Sequence, residues 1–124
     1  MAAPPPPPKT PFTGDPKQYP PGHFEKAATG TCLCGSISVT VAANIFDLPD
    51  MYICHCANCR AVSGSYAAPN LRVRKDVVEI EDRRGTMKKY EDYATGSGNA
   101  VVRSFCGGCG SCVLPVSLPL SLVP

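Results

Sequence analysis

The sequence predicts a small, mainly β domain that carries cysteine knuckles and is stapled by metal. Three observations lead there. "GSISVTVA" (residues 35–42) alternates small polar and β-branched residues, the period-2 pattern of a half-buried strand. Eight cysteines fall into three tight groups: Cys32 and Cys34; Cys54, Cys56 and Cys59; Cys106, Cys109 and Cys112. The 124 residues hold no Trp, four Phe and five Tyr, a thin supply of large side chains for a domain without a staple.

The elements follow in chain order. Residues 1–28 are a low-complexity leader, "MAAPPPPPKTPFTGDPKQYPPGHF" and onward, with most of the prolines. Proline lacks an amide donor, so this stretch reads as disordered, polyproline II-like chain with a solvated His23. Its plain reading is a tail; its sharper one is a ligand for a Pro-rich-motif binder of the SH3, WW or profilin-like kind. The folded part starts near Ala28. After the first strand, Asp47 to Asp50 is a turn. "MYI" is a short strand that enters the crowded loop. "ANCRAVSG" makes a helical turn that Gly64 ends. "SYAAPNLRV" is an edge or irregular strand because of Pro69. "VVEIE" and "TMKKYEDY", separated by residues 82–85, read as a hairpin. "TGSGN" is a loop, and "AVVRSF" a strand that runs into "CGGCGSC". The apolar tail "CVLPVSLPLSLVP" makes one short strand and then a loose end. The domain is bounded at 29–116, with residues 117–124 as the tail.

Twelve Lys and Arg against ten Asp and Glu give a net charge of +2. Arg83, Arg84, Lys88 and Lys89 alternate with Glu81, Asp82, Glu91 and Asp92, which describes a solvated strand surface and argues against nucleic-acid binding. No segment approaches the ~20 apolar residues that span a membrane. The proline-rich start has no apolar signal-peptide core. The reading is therefore an intracellular, cytoplasmic chain, where clustered cysteines hold metal rather than form disulfides.

Turns that bring thiolates a few ångströms apart suit tetrahedral zinc. Gly35, Gly107, Gly108 and Gly110 flank these turns and are expected to allow positive φ and amides that face sulfur. A structural site is closed by four protein ligands, whereas a catalytic one offers three and stays open. Cys32, Cys34, Cys106 and Cys109 would make a closed site joining the two ends of the domain. Cys54, Cys56 and Cys59 would make an open one, leaving Cys112 over. A rival partition uses all eight, with Cys112 closing the second site. Spacing leaves both partitions standing.

"GTCLCGSI", "CHCANCRAVSGS" and "VVRSFCGGCGS" resemble, in type, spacing and order, the glutathione-dependent formaldehyde-activating enzyme family, which includes the centromere protein V-like proteins. The resemblance covers about residues 29–111. It implies a mainly β, zinc-stabilised Mss4-like fold with two zinc ions. It implies a structural zinc on Cys32, Cys34, Cys106 and Cys109 and a catalytic zinc on Cys54, Cys56 and Cys59. It also implies a carbon–sulfur lyase that joins glutathione and formaldehyde, or cleaves their adduct, hence a small-molecule thiol and aldehyde as partners. The family continues past the last knuckle with further strands. This sequence runs into "VLPVSLPLSLVP" instead, which reads as a C-terminally shortened domain.

Around the middle motif, His55 is either a general base or a residue that turns away from the metal to bond the backbone. Arg60 either binds a substrate carboxylate or balances a negative zinc site. Asn58 and Ser63 read as turn and cap residues. Two further readings compete with the enzyme: a non-catalytic zinc module that binds a protein, and a truncated, inactive paralogue.

Overall fold

The computed structural model describes residues 19–47 and 51–117, and only the main chain over 114–117. Its strands are β1 (Ala28–Thr31), β2 (Ile37–Val41), β3 (Met51–Cys54), β4 (Ala68–Leu71), β5 (Val78–Asp82), β6 (Met87–Asp92), β7 (Val101–Cys106) and β8 (Cys112–Ser117). Among the described residues one α-helix, α1, spans Ala57–Ser63, and single 3-10 turns cover Ile45–Asp47 and Lys75–Val77. The strands form three antiparallel sheets in the orders β1-β2-β5, β3-β4 and β6-β7-β8. The mainly β class is as expected. Among the described residues no helix is long and apolar enough to cross a membrane.

The alternating segment forms β2, at the centre of the first sheet. Its first residue, Ile37, and Cys106 of β7 are the buried hydrophobic side chains among the described residues, at 1% and 0% exposure. Ser36, Ser38, Asp92 and Ser104 are buried beside them. Such a core is too small to hold three sheets by apolar burial alone. Polar ties do part of the work at the junction of the first and third sheets.

That junction corrects the expected hairpin. β5 pairs with β2 and β6 pairs with β7, so the two segments lie in different sheets. The cause is Asp82. Its two carboxylate oxygens accept from the amides of Thr86 (3.0 Å) and Met87 (2.9 Å), which turns the chain out of the first sheet. Arg83 N donates to Ser36 O at 2.8 Å, and the Thr86 hydroxyl donates to Ser36 Oγ at 2.7 Å. Those amide bonds hold the Asp82 carboxyl below the usual carboxylate range.

β4 runs through Pro69, opposite Ile53, and pairs on one side only. A missing N–H costs little on such an edge. β8 likewise carries Pro115 on the outer edge of its sheet. α1 is longer than the single turn expected, and Gly64 ends it as predicted, with φ 63°. The turn placed at residues 47–50 falls mostly outside the described residues, as do residues 1–18 of the leader and the loose end beyond Ser117. The described part of the leader begins at Tyr19. Turns over residues 20–25 stack Tyr19 on an exposed His23, with ring centroids 4.4 Å apart, and bring Phe24 to 6.5 Å from Phe46.

Candidate metal centres

Two knuckles meet to form the first centre. The β1–β2 turn brings Cys32 and Cys34, and the β7–β8 turn brings Cys106 and Cys109. All four sulfurs lie within 4.8 Å of one another. Cys34 Sγ stands 3.6 Å from both Cys32 Sγ and Cys106 Sγ. Each turn needs a left-handed residue just past its thiols, and glycine supplies it: Gly35 at φ 77° and Gly110 at φ 76°. Gly107 and Gly108 do not have positive φ. Gly107 is instead a space requirement, since a Cβ there would lie 2.8 Å from the Lys88 side chain and 3.0 Å from Thr86 O.

The surrounding groups point donors at sulfur. Ile37 N donates to Cys32 Sγ at 3.2 Å; the Thr86 hydroxyl, whose one proton is shared with Ser36 Oγ, and the Ser111 hydroxyl lie 3.3 Å from Cys106 Sγ and Cys109 Sγ. Ser111 Oγ also accepts from Leu33 N at 3.1 Å, which ties the two knuckles together. The thiols are pulled apart electrostatically. The Ser111 hydroxyl and amide bring Cys109 down to about 5 against the opposing effect of burial. Cys106 is raised by burial but lowered further by Thr86 and the amides of Cys109 and Gly108. Cys34 has the Ser36 amide to lower it, yet burial and its three thiol neighbours push it up to about 11. Four thiols cannot all ionise at this spacing without a cation between them.

The second centre is built by one loop. Cys54 ends β3, Cys56 is the N-cap of α1 and Cys59 sits in its first turn, with the three sulfurs within 4.8 Å of one another. The cap is itself a thiol: Cys56 Sγ accepts from Cys59 N at 3.3 Å. That amide, with the neighbouring Cys54 and Cys59 thiols, lowers Cys56 to about 7. Burial, then Cys54 and Cys56, raise Cys59 to about 12. None of the eight cysteines is in a disulfide. Both sets of sulfurs are arranged as candidate metal sites.

Cys112 does not join either group. It is exposed, and its thiol donates to Val62 O at 3.2 Å, near the end of α1. Arg60 is exposed on the same helix, and its side chain makes no ion pair among the described residues. His55 is also exposed and meets Tyr66 edge-on, with ring centroids 5.6 Å apart, rather than bonding the backbone. Ser63 caps as expected, accepting from Ser65 N at 3.3 Å. Asn58 is a tether instead of a turn residue. Its amide donates to Asp92 Oδ2 (3.1 Å) and Ala94 O (2.7 Å), fastening α1 to the third sheet.

Sequence reasoning missed the group beneath this tether. Arg103 Nε and Nη2 reach Asp92 Oδ2 at 2.9 and 2.8 Å. The Arg103 bond holds the Asp92 carboxyl below its usual range despite burial. Burial lowers Arg103, but Asp92, and after it Cys59, raise it overall. A signal was present: Arg103 is the one charged residue in "AVVRSF", and a charge in an apolar strand is a buried, paired charge more often than a surface one.

No curated protein matches the chain. A model of the family described as glutathione-dependent formaldehyde-activating enzyme matches residues 27–118, the stretch that carries all three cysteine motifs and all three sheets. The chain belongs to the glutathione-dependent formaldehyde-activating enzyme family, with its mostly β, Mss4-like fold and two clusters of cysteines arranged to take metal.

Proposed function

We propose that the chain binds two zinc ions and acts as a carbon–sulfur lyase-type enzyme on thiol adducts of a small aldehyde, glutathione and formaldehyde being the pair in the family's name. One observation carries the reading: three thiols converge at Cys54, Cys56 and Cys59 while Cys112 is spent on the Val62 carbonyl. Cys32, Cys34, Cys106 and Cys109 would hold a closed, structural zinc, and the three-thiol set an open, catalytic one. The donor set fits that metal. Thiolates are soft ligands that suit zinc, and sulfurs at ~2.3 Å from a tetrahedral centre stand ~3.8 Å apart. In the first centre Cys34 Sγ stands 3.6 Å from Cys32 Sγ and from Cys106 Sγ, and all four sulfurs lie within 4.8 Å of one another.

In the open site zinc would supply a Lewis acid that keeps a substrate thiol deprotonated near neutral pH. The chain's own part is to place the reactants. α1 presents Cys59, and the Asn58 tether fixes α1 against the third sheet. The substrate sulfur bonds to the aldehyde carbon, and the thiol proton ends on the carbonyl oxygen. The reverse reaction breaks the same carbon–sulfur bond. His55, exposed between two ligands, is placed to exchange that proton with solvent.

A binding-module reading draws on Met51, Ile53 and Tyr66, which are 72%, 63% and 82% exposed around the second centre. One experiment separates the two. Zinc-loaded full chain is mixed with glutathione and formaldehyde at equilibrium, and exchange of the hydroxymethyl group is followed by NMR. The enzyme reading expects exchange faster than in buffer. Exchange at the buffer rate, with both zincs bound, contradicts it and leaves the module.

A further inference from the structure

Among the described residues the three sheets leave six edge strands: β1 and β5, β3 and β4, β6 and β8. An edge strand offers unpaired amides and carbonyls to any strand that arrives, and proteins guard edges with charge, proline or short polar sequence. Five of these six are guarded. β5 carries Glu79, Glu81 and Asp82, and β6 carries Lys88, Lys89 and Glu91. β4 and β8 contain Pro69 and Pro115. β1, "ATGT", is short, small and polar. β3, "MYIC", has no charge, no proline and no glycine. Met51, Tyr52 and Ile53 are all exposed, and successive side chains alternate, so both faces of the strand are apolar and uncovered. A two-stranded sheet is marginal alone, and Pro69 hinders its growth on the β4 side. β3 is the side on which it can grow.

We propose that β3 is a homodimer interface: it pairs antiparallel with β3 of a second copy of this chain and completes a four-stranded sheet, β4-β3-β3-β4. The dimer would form whether or not the chain is a lyase. Three features select a second copy. Antiparallel pairing of a strand with itself is two-fold symmetric, so one edge supplies both sides of a closed interface. With Tyr52 on the two-fold axis the apolar run pairs with itself: Met51 of each copy faces Ile53 of the other, and Cys54 is left to its own centre. Tyr52 projects to the opposite face, where Arg72 Cζ lies 5.6 Å over its ring. Lastly, β3 has no charge with which to choose a charged peptide, and a net charge of +2 sets little repulsion between two copies. Area sets the strength. The exposed parts of three such side chains come to roughly 300–400 Å² per copy, so the pair would bury under about 1,000 Å². That is a weak, reversible interface, with an expected dissociation constant of about 10–500 μM.

The test is sedimentation equilibrium of the full chain, prepared with zinc, from about 10 μM to about 1 mM, with amide hydrogen exchange at both ends of that range. The mass should rise with concentration from 13.1 kDa toward twice that value. Exchange of the outward amides of β3 should slow at least about twofold at the high concentration, as the second copy pairs them. Ile53→Lys puts a charge on the edge and should hold the chain at the monomer mass throughout, with β3 exchange fast at both concentrations. Ile53 is mostly exposed, so the fold should survive; Met51→Lys, at a still more exposed position, is measured beside it. Phe46→Lys, at an equally exposed apolar residue on another element, should dimerise as wild type does. Monomer mass at every concentration overturns the proposal and leaves β3 for a different partner. A dimer that survives both β3 variants lies on another face, and one lost in Phe46→Lys as well is unspecific association; either overturns it. So does a dimer that leaves β3 exchange unchanged, since side chains alone would then make the contact.

Discussion

Chelating the proposed structural zinc, or replacing Cys106 by alanine, is expected to unfold the chain. Cys106 is fully buried, and with Ile37 it makes up the buried hydrophobic core among the described residues. Its sulfur stands between two knuckles that belong to different sheets, 3.6 Å from Cys34 on the β1–β2 turn. Without a cation the four thiols repel as they ionise, and the largest cohesive element between the first and third sheets becomes a source of strain. The size of the effect follows from scale. Structural zinc contributes about 10–16 kcal/mol in small finger domains, whereas a whole domain of this size is stable by only about 5–15 kcal/mol. The Asp82 turn and the Ser36–Thr86 bond cannot replace a term of that magnitude. Amide proton NMR on chelated wild type and on Cys106→Ala should therefore show collapsed dispersion and no cooperative thermal transition. A dispersed spectrum from either sample would mean that the fold is held by something other than this centre.

Cys54→Ala should behave in the opposite way: folded, one zinc short and inactive. The second centre joins the end of β3 to α1, a local closure over few residues, and α1 keeps a separate anchor through Asn58 to Asp92 and Ala94. Losing it leaves the four-thiol centre and both three-stranded sheets intact. Two thiols make a poor zinc site, so the zinc proposed to activate the substrate thiol would leave. A Lewis-acid term of several kcal/mol goes with it, about a thousandfold or more in rate. Circular dichroism and the hydroxymethyl exchange assay, run on one preparation, check both halves. Retained activity in a folded Cys54→Ala protein would place the chemistry elsewhere.

What was legible in the sequence was local. β2 could be read because alternation is a property of neighbouring residues, and α1 because a cap and Gly64 bracket it. The cysteine groups could be read because each knuckle is a short turn. The β5–β6 hairpin was misread for a physical reason. Two alternating segments with a Gly-containing linker look like partners, but Asp82 spends its carboxylate on the amides of Thr86 and Met87 and turns the chain away. Residues far apart in sequence were also out of reach. That Arg103 would meet Asp92 across β6 and β7, or that Asn58 would find the same carboxylate, follows from strand register and not from spacing. The choice between an open and a closed second centre belongs here too. Spacing allowed Cys112 to close it, whereas β8 carries that thiol to the Val62 carbonyl instead.

That choice is the centre of the account, and zinc per folded chain by native mass spectrometry tests it most directly. Wild type and Cys112→Ala should both carry two zincs, because the Cys112 thiol bonds Val62 O and stands outside both groups of sulfurs. Two in wild type falling to one in Cys112→Ala would mean that Cys112 closes the second centre, and the enzyme reading would give way to the binding module.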